Sequence, residues 1–138
     1  MTDFKKLRQE MVEQQLKARD ITDEKVLAAM AKVPREEFVP EISRGQAYED
    51  HPIPIGHHQT ISQPYIVAKM CQLLELEEDD KVLDVGTGSG YEAAVLSQIV
   101  ESVVGIEIEQ ELAQQAKNSI QKLEYNNVTI VVGNGRDG

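Results

Sequence analysis

Ten residues, Val82-Leu-Asp-Val-Gly86-Thr-Gly88-Ser-Gly90-Tyr91, restrict what this chain can fold into more than any others. A short apolar run ends in three glycines spaced two apart, and a helical pattern follows through about residue 100. Glycine enters positive φ with no Cβ penalty, so the segment turns a strand sharply into a helix and exposes bare backbone to a ligand. The pattern then repeats. Val103–Ile106 reads as a second strand and residues 109–123 as a helix with Leu112, Ala116, Ile120 and Leu123 inside. Val128–Val132 reads as a third strand. Strands alternating with helices need right-handed crossovers and give a parallel sheet, so the expected class is α/β and Rossmann-like.

A helical segment precedes this sheet. Phe4, Leu7, Met11 and Ala18 mark one face of a helix over residues 4–19. Thr22 is the expected cap of a second helix, whose stripe is Val26, Leu27, Met30 and Val33 and which Pro34 ends. Residues 34–62 show no regular periodicity and hold four of the five prolines and all three histidines. Gln63-Pro64 opens a third helix with Ile66, Met70, Leu73 and Leu74 on one face.

The glycine spacing bears on the ligand. A dinucleotide fingerprint reads G-x-G-x-x-G, whereas this chain has G-x-G-x-G, with Tyr91 where the third dinucleotide glycine would stand. Asp84 before the turn suits a cation better than a phosphate, and no G-K-[ST] follows. Glu107, at the end of the second strand, lies where an acid accepts hydrogen bonds from ribose hydroxyls. An adenosine bearing an ammonium and a sulfonium meets all these features, which points to S-adenosyl-L-methionine. A nicotinamide dinucleotide and a purely structural turn are the competing readings, and Glu107 by itself reads as a solvated strand end.

Charge narrows the partners. With 14 Lys and Arg against 24 Asp and Glu the net charge is −10, the wrong sign for neutralising phosphates, so neither nucleic acid nor an anionic membrane is an expected partner. The first residues hold no apolar signal core and no stretch approaches a membrane span. Cys71 is the single cysteine, so no internal disulfide forms and a cytoplasmic location is expected. Cys71 itself reads as a small buried hydrophobe. His51, His57 and His58 match no ligand spacing, and no metal is expected.

Thr60-Ile-Ser62-Gln-Pro64-Tyr-Ile-Val-Ala68 resembles the segment that precedes the glycine loop in protein-L-isoaspartate O-methyltransferases. Val33-Pro-Arg-Glu-Glu-Phe-Val39, Pro54-Ile-Gly56 and Val132-Gly-Asn-Gly-Arg-Asp-Gly138 are similar to that family as well. The glycine loop marks only the methyltransferase superfamily, whereas Thr60–Pro64 selects this family within it. The resemblance implies a class I methyltransferase fold. It implies Ser62 as the catalytic hydroxyl, Thr60 and Ser62 along the cofactor's reactive end, Asp84, Gly86, Gly88, Gly90 and Glu107 around the cofactor, and Asn134 and Gly135 beside the adenine. Family members usually carry Asp where this chain has Asn134, which weakens that one assignment. Ser62 alone also reads as a helix N-cap ahead of Pro64.

The implied reaction is methyl transfer from S-adenosyl-L-methionine to the side carboxylate of an L-isoaspartyl residue in a damaged peptide or protein. It leaves S-adenosyl-L-homocysteine and an ester that closes to a succinimide, the first step of repair. A carboxylate is ionised at neutral pH, so no general base is required. A small-molecule methyltransferase and a non-catalytic cofactor-binding fragment are the alternatives. Residues 1–78 are expected to supply helices and the active-site loop, and residues 79–138 the first half of the cofactor-binding sheet, as one incomplete domain. Three strands without a fourth predict an open cofactor site, an exposed edge along Lys81–Val85 and little or no turnover by these 138 residues alone.

Overall fold

The computed structural model describes residues 2–135. Helix α1 (Phe4–Met11) starts at Asp3, whose carboxylate accepts the Lys6 amide at 3.1 Å. The chain continues as a wider π-helix over Val12–Lys17. That change of pitch moves the buried face. Bonding from i to i+5 sets Leu16 in the core after Met11 and Val12, while Ala18, expected there from regular helical spacing, is exposed.

Helix α2 (Glu24–Lys32) is capped by Asp23, which accepts the Lys25 amide at 2.9 Å. Thr22, the expected cap, instead gives its amide to the Gln72 side chain at 2.8 Å. Val26, Met30 and Val33 are buried as the stripe predicts. Val33 is extended, the conformation that a following proline favours. The stretch without periodicity turns out to be ordered in pieces too short to show a period. It holds two 3₁₀ turns (Arg35–Phe38 and Glu41–Gln46) and a hairpin of β1 (Ile53–Gly56) with β2 (Gln59–Ile61). His57 and His58 form its two-residue loop, both at positive φ, as such loops require.

Helix α3 (Pro64–Leu73) departs further from the sequence pattern. Its core side is Val67, Ala68 and Cys71, while Ile66, Met70, Leu73 and Leu74 face outward. The helix has two apolar sides, and the one with smaller residues makes the closer approach to the interior.

Beyond it come β3 (Lys81–Val85), α4 (Tyr91–Ser97), β4 (Ser102–Glu107), α5 (Gln110–Lys122) and β5 (Val128–Val132). The three strands pair in parallel in the order β3-β4-β5, with Val85 opposite Ile106 and Glu107 opposite Val132. Helix α4 is almost wholly buried between this sheet and α2. Leu112, Ala113, Ala116 and Ile120 of α5 cover β4 and β5. β3 forms one edge, where Leu83 and Val85 are 56% and 60% exposed. No helix among the described residues is long and apolar enough to cross a membrane.

Candidate cofactor-binding site

The glycine turn is fastened to the neighbouring strand. Gly86, Gly88 and Gly90 all take positive φ, and the amides of Gly86 and Thr87 both donate to the Ile106 carbonyl, at 2.8 and 3.0 Å. Gly105 permits this approach, because a Cβ there would lie 2.8 Å from Ile130 and 3.0 Å from the Thr87 hydroxyl. Sequence reasoning passed over Gly105. Its only signal is a glycine inside a strand, where close backbone approach is one explanation. A Cβ at Gly90 would meet Ala116 of α5 at 3.1 Å, whereas one at Gly86 would meet nothing within 4 Å. Gly90 therefore serves packing as well as conformation, and Gly86 leaves backbone facing open space.

Glu107 is not a solvated strand end. It is 1% exposed. One oxygen accepts the Gly88 amide at 2.9 Å, and the other accepts the Glu109 amide at 2.9 Å and the Gln59 side chain at 3.2 Å. The first oxygen retains acceptor capacity for a ligand hydroxyl. Asp84 is buried and accepts the Thr87 hydroxyl at 2.7 Å. Burial pushes its carboxyl above the usual carboxylate range against the pull of that hydrogen bond, and the charge of Glu107 adds to the rise. Its immediate partner is thus Thr87 rather than open space.

The Thr60–Ser62 segment reaches the same turn. Thr60, Ser62, Val67, Gly86, Gly88 and Glu92 line a cavity of about 60 Å³. Gln63, not Ser62, is the N-cap of α3, and it makes no side-chain capping bond. The Ser62 hydroxyl is exposed and unspent on capping, while its carbonyl accepts Arg35 Nη2 at 2.9 Å. Arg35 is fully buried, donates through Nε to the Ala47 carbonyl at 2.5 Å and sets its guanidinium 4.9 Å from the Tyr91 ring centre. Burial lowers its pKa, against the opposing pull of the Tyr91 phenol group. Arg35 so ties Ser62 to the first residue of α4. The sequence placed Arg35 only within a family-like stretch, with no hint of this partner.

Glu92 was also missed, because a carboxylate in the first turn of a helix is commonplace. Burial, with Asp84 adding, raises its carboxyl to about 7. Asn134 and Gly135 lie exposed beyond β5, and a Cβ on Gly135 would stand 2.7 Å from Val85, so this segment reaches the carboxyl end of β3. The family-like residues Arg136, Asp137 and Gly138 lie outside the described residues. His57 pairs with Glu111 at 3.1 Å and Glu109 at 3.6 Å. Among the described residues no group of three or more His, Cys, Asp or Glu is placed to hold a metal. Burial pushes the Cys71 thiol up to about 12, so it behaves as a small apolar side chain.

The model of the family described as protein-L-isoaspartate(D-aspartate) O-methyltransferase matches residues 5–138. A protein-L-isoaspartate O-methyltransferase from Petrotoga mobilis is 54% identical over 136 residues, which are 99% of this chain and 64% of that protein. One from Opitutus terrae is 54% identical over 131 residues, 95% of this chain and 56% of that protein. The chain thus spans between half and two-thirds of the length of these relatives. Among solved structures, a protein-L-isoaspartate O-methyltransferase superposes with a TM-score of 0.81 at 29% identity, over 93% of this chain and 42% of its own. A Plasmodium falciparum structure titled as this methyltransferase in complex with S-adenosyl-L-homocysteine gives a TM-score of 0.77 at 28% identity, over 98% and 65%.

Proposed function

This chain belongs to the protein-L-isoaspartate(D-aspartate) O-methyltransferase family, and from that premise we propose that it binds S-adenosyl-L-methionine at the carboxyl ends of β3 and β4 and directs its methyl group to L-isoaspartyl carboxylates in damaged proteins. The observation that carries this function is the convergence of Thr60 and Ser62, from a hairpin and its exit, on the cavity formed by Gly86 and Gly88. The residues present fit such a cofactor. Gly86 leaves free space above bare backbone, Glu107 keeps acceptor capacity for a ribose hydroxyl, and the cavity of about 60 Å³ admits a ligand's reacting end but no nucleoside. Asn134 and Gly135, exposed beyond β5, would hold the adenine side of the cofactor. In this arrangement residues 1–78 supply the acceptor side and residues 79–138 the cofactor side, in a cytoplasmic setting.

The cofactor supplies an electrophilic methyl on a sulfonium. The chain supplies position. Ser62 would donate its hydroxyl to one oxygen of the acceptor carboxylate and so position that acceptor for transfer. Arg35 fixes the Ser62 backbone from below, so that this donor starts close to its working place. The acceptor is an anion and the bound methyl donor would be a cation, so their attraction would favour approach. Asp84 acts one residue removed, through the Thr87 hydroxyl, and holds the loop's shape.

The test grafts residues 1–138 in place of the matching part of the Petrotoga relative, then offers labelled cofactor with an isoaspartyl peptide and its normal aspartyl twin. Label on the isoaspartyl peptide alone is expected. Equal labelling of the twins, or calorimetry showing no cofactor binding to the ungrafted chain, would remove the proposal.

A further inference from the structure

Three carboxylates come together around the glycine turn, and the structure gives them unequal neighbours. Asp84 has the Thr87 hydroxyl, and Glu107 has the Gly88 and Glu109 amides and the Gln59 side chain. Glu92 has no hydrogen bond or ion pair among the described residues, although it is half-buried and lines the cavity with Thr60 and Ser62. The one charged group recorded as acting on it opposes its charge. Asp84 on β3 adds negative charge, and Cys71 on α3 is a buried neutral thiol. From α2, packed on the other side, come the apolar core residues Val26, Ala29 and Met30. The buried cation Arg35 is engaged with Ala47, Ser62 and Tyr91.

Building on the cofactor assignment above, we propose that Glu92 is the carboxylate that meets the positive charge of the methyl donor, and that it exchanges a proton with solvent as the charge of the bound ligand changes. The methyl donor carries ammonium, sulfonium and carboxylate, a net single positive charge, whereas the thioether product has lost the sulfonium charge. Without ligand, the half-buried carboxyl titrates at about 7. With a cation beside it the charged form is favoured, so Glu92 gives up its proton to water when the donor enters. After transfer the acceptor is a neutral ester and the ligand a neutral thioether. Glu92 then faces only Asp84 again and recovers a proton from water. The result is a site that selects donor over product by charge, more strongly at higher pH.

The sign is fixed by linkage. A neutral Glu92 must ionise to meet the donor, so affinity is lowest at low pH, rises as pH climbs toward 7 and levels above it. Isothermal titration of donor and of thioether product into the 138-residue chain, in buffers of different ionisation heat, reads both affinity and protons released. From about pH 6 to about pH 8 donor affinity is expected to rise roughly fivefold or more, with a fraction of a proton released near neutrality, while product affinity stays nearly level. Glu92→Gln is expected to abolish the released proton and the slope and to weaken donor binding at about pH 8, leaving product binding unchanged. Two results overturn the inference while sparing the cofactor assignment: donor and product slopes that coincide in the unaltered chain, or a proton release that survives Glu92→Gln. If neither ligand binds the unaltered chain at any pH, the cofactor assignment itself falls and this inference with it. Coincident donor and product slopes in the unaltered chain overturn the inference even if the variant fails to fold.

Discussion

At the scale of single residues, Ser62 and Glu107 differ in how much structure rests on them. The Ser62 hydroxyl caps nothing and is exposed. Ser62→Ala is therefore expected to keep the chain's stability and cofactor affinity while turnover in the grafted enzyme falls roughly tenfold or more, since the acceptor loses its positioning donor. Melting curves, calorimetry and methyl transfer read these three quantities, and full turnover would return Ser62 to a passive place in the loop. Glu107 satisfies three donors from three segments. Glu107→Ala is expected to cost about 2–4 kcal/mol of stability by orphaning buried amides, and to weaken cofactor binding at least about tenfold in the folded fraction. The second effect was foreseeable from spacing along the chain. The first was not, because the Gly88 amide and Gln59 reach Glu107 only after the loop and hairpin have closed over it.

At the scale of elements, the glycine turn shows three identical residues under different constraints. All adopt positive φ, yet only Gly90 has a neighbouring helix against its Cα, with Ala116 Cβ at 3.1 Å from where a Cβ would stand. Gly90→Ala combines backbone strain with a clash and is expected to cost about 2–4 kcal/mol, while Gly86→Ala bears strain alone, about 1–2 kcal/mol. Urea midpoints of the two variants measure the difference, and equal losses would mean that α5 yields without cost. The turn was readable from sequence because glycine spacing directly reports backbone geometry. The order within residues 34–62 was not. Four- and six-residue 3₁₀ turns and a hairpin of four- and three-residue strands are shorter than the windows in which a period can be seen.

At the scale of the whole molecule, the sheet edge is the dominant feature. β3 pairs on one side only, and its Leu83 and Val85 are exposed. Such an edge offers unpaired amides together with apolar area to another chain. Hydrogen exchange is expected to be faster along Val82–Val85 than along Val103–Ile106, which pairs on both sides. Light scattering is expected to report concentration-dependent association that Leu83→Lys with Val85→Lys reduces. A monomer at high concentration with β3 protected like β4 would contradict both expectations.

The sequence by itself determined the order of elements in the α/β half, the parallel sheet, the positive-φ turn and the acid at the end of β4. Each of these follows from local rules of period, glycine and strand-helix alternation, which act within a few tens of residues. The tertiary structure alone decided which side of α3 is buried, which residue caps α2, and that Ala18 leaves the core where the helix widens. It also decided that Arg35 holds the Ser62 carbonyl across 27 positions and that Glu92 faces the cavity without a partner. Side-chain pattern along a chain reports which residues prefer to leave water. Which of two apolar faces closes on the interior, and which charges meet, depends on what the rest of the fold brings against them.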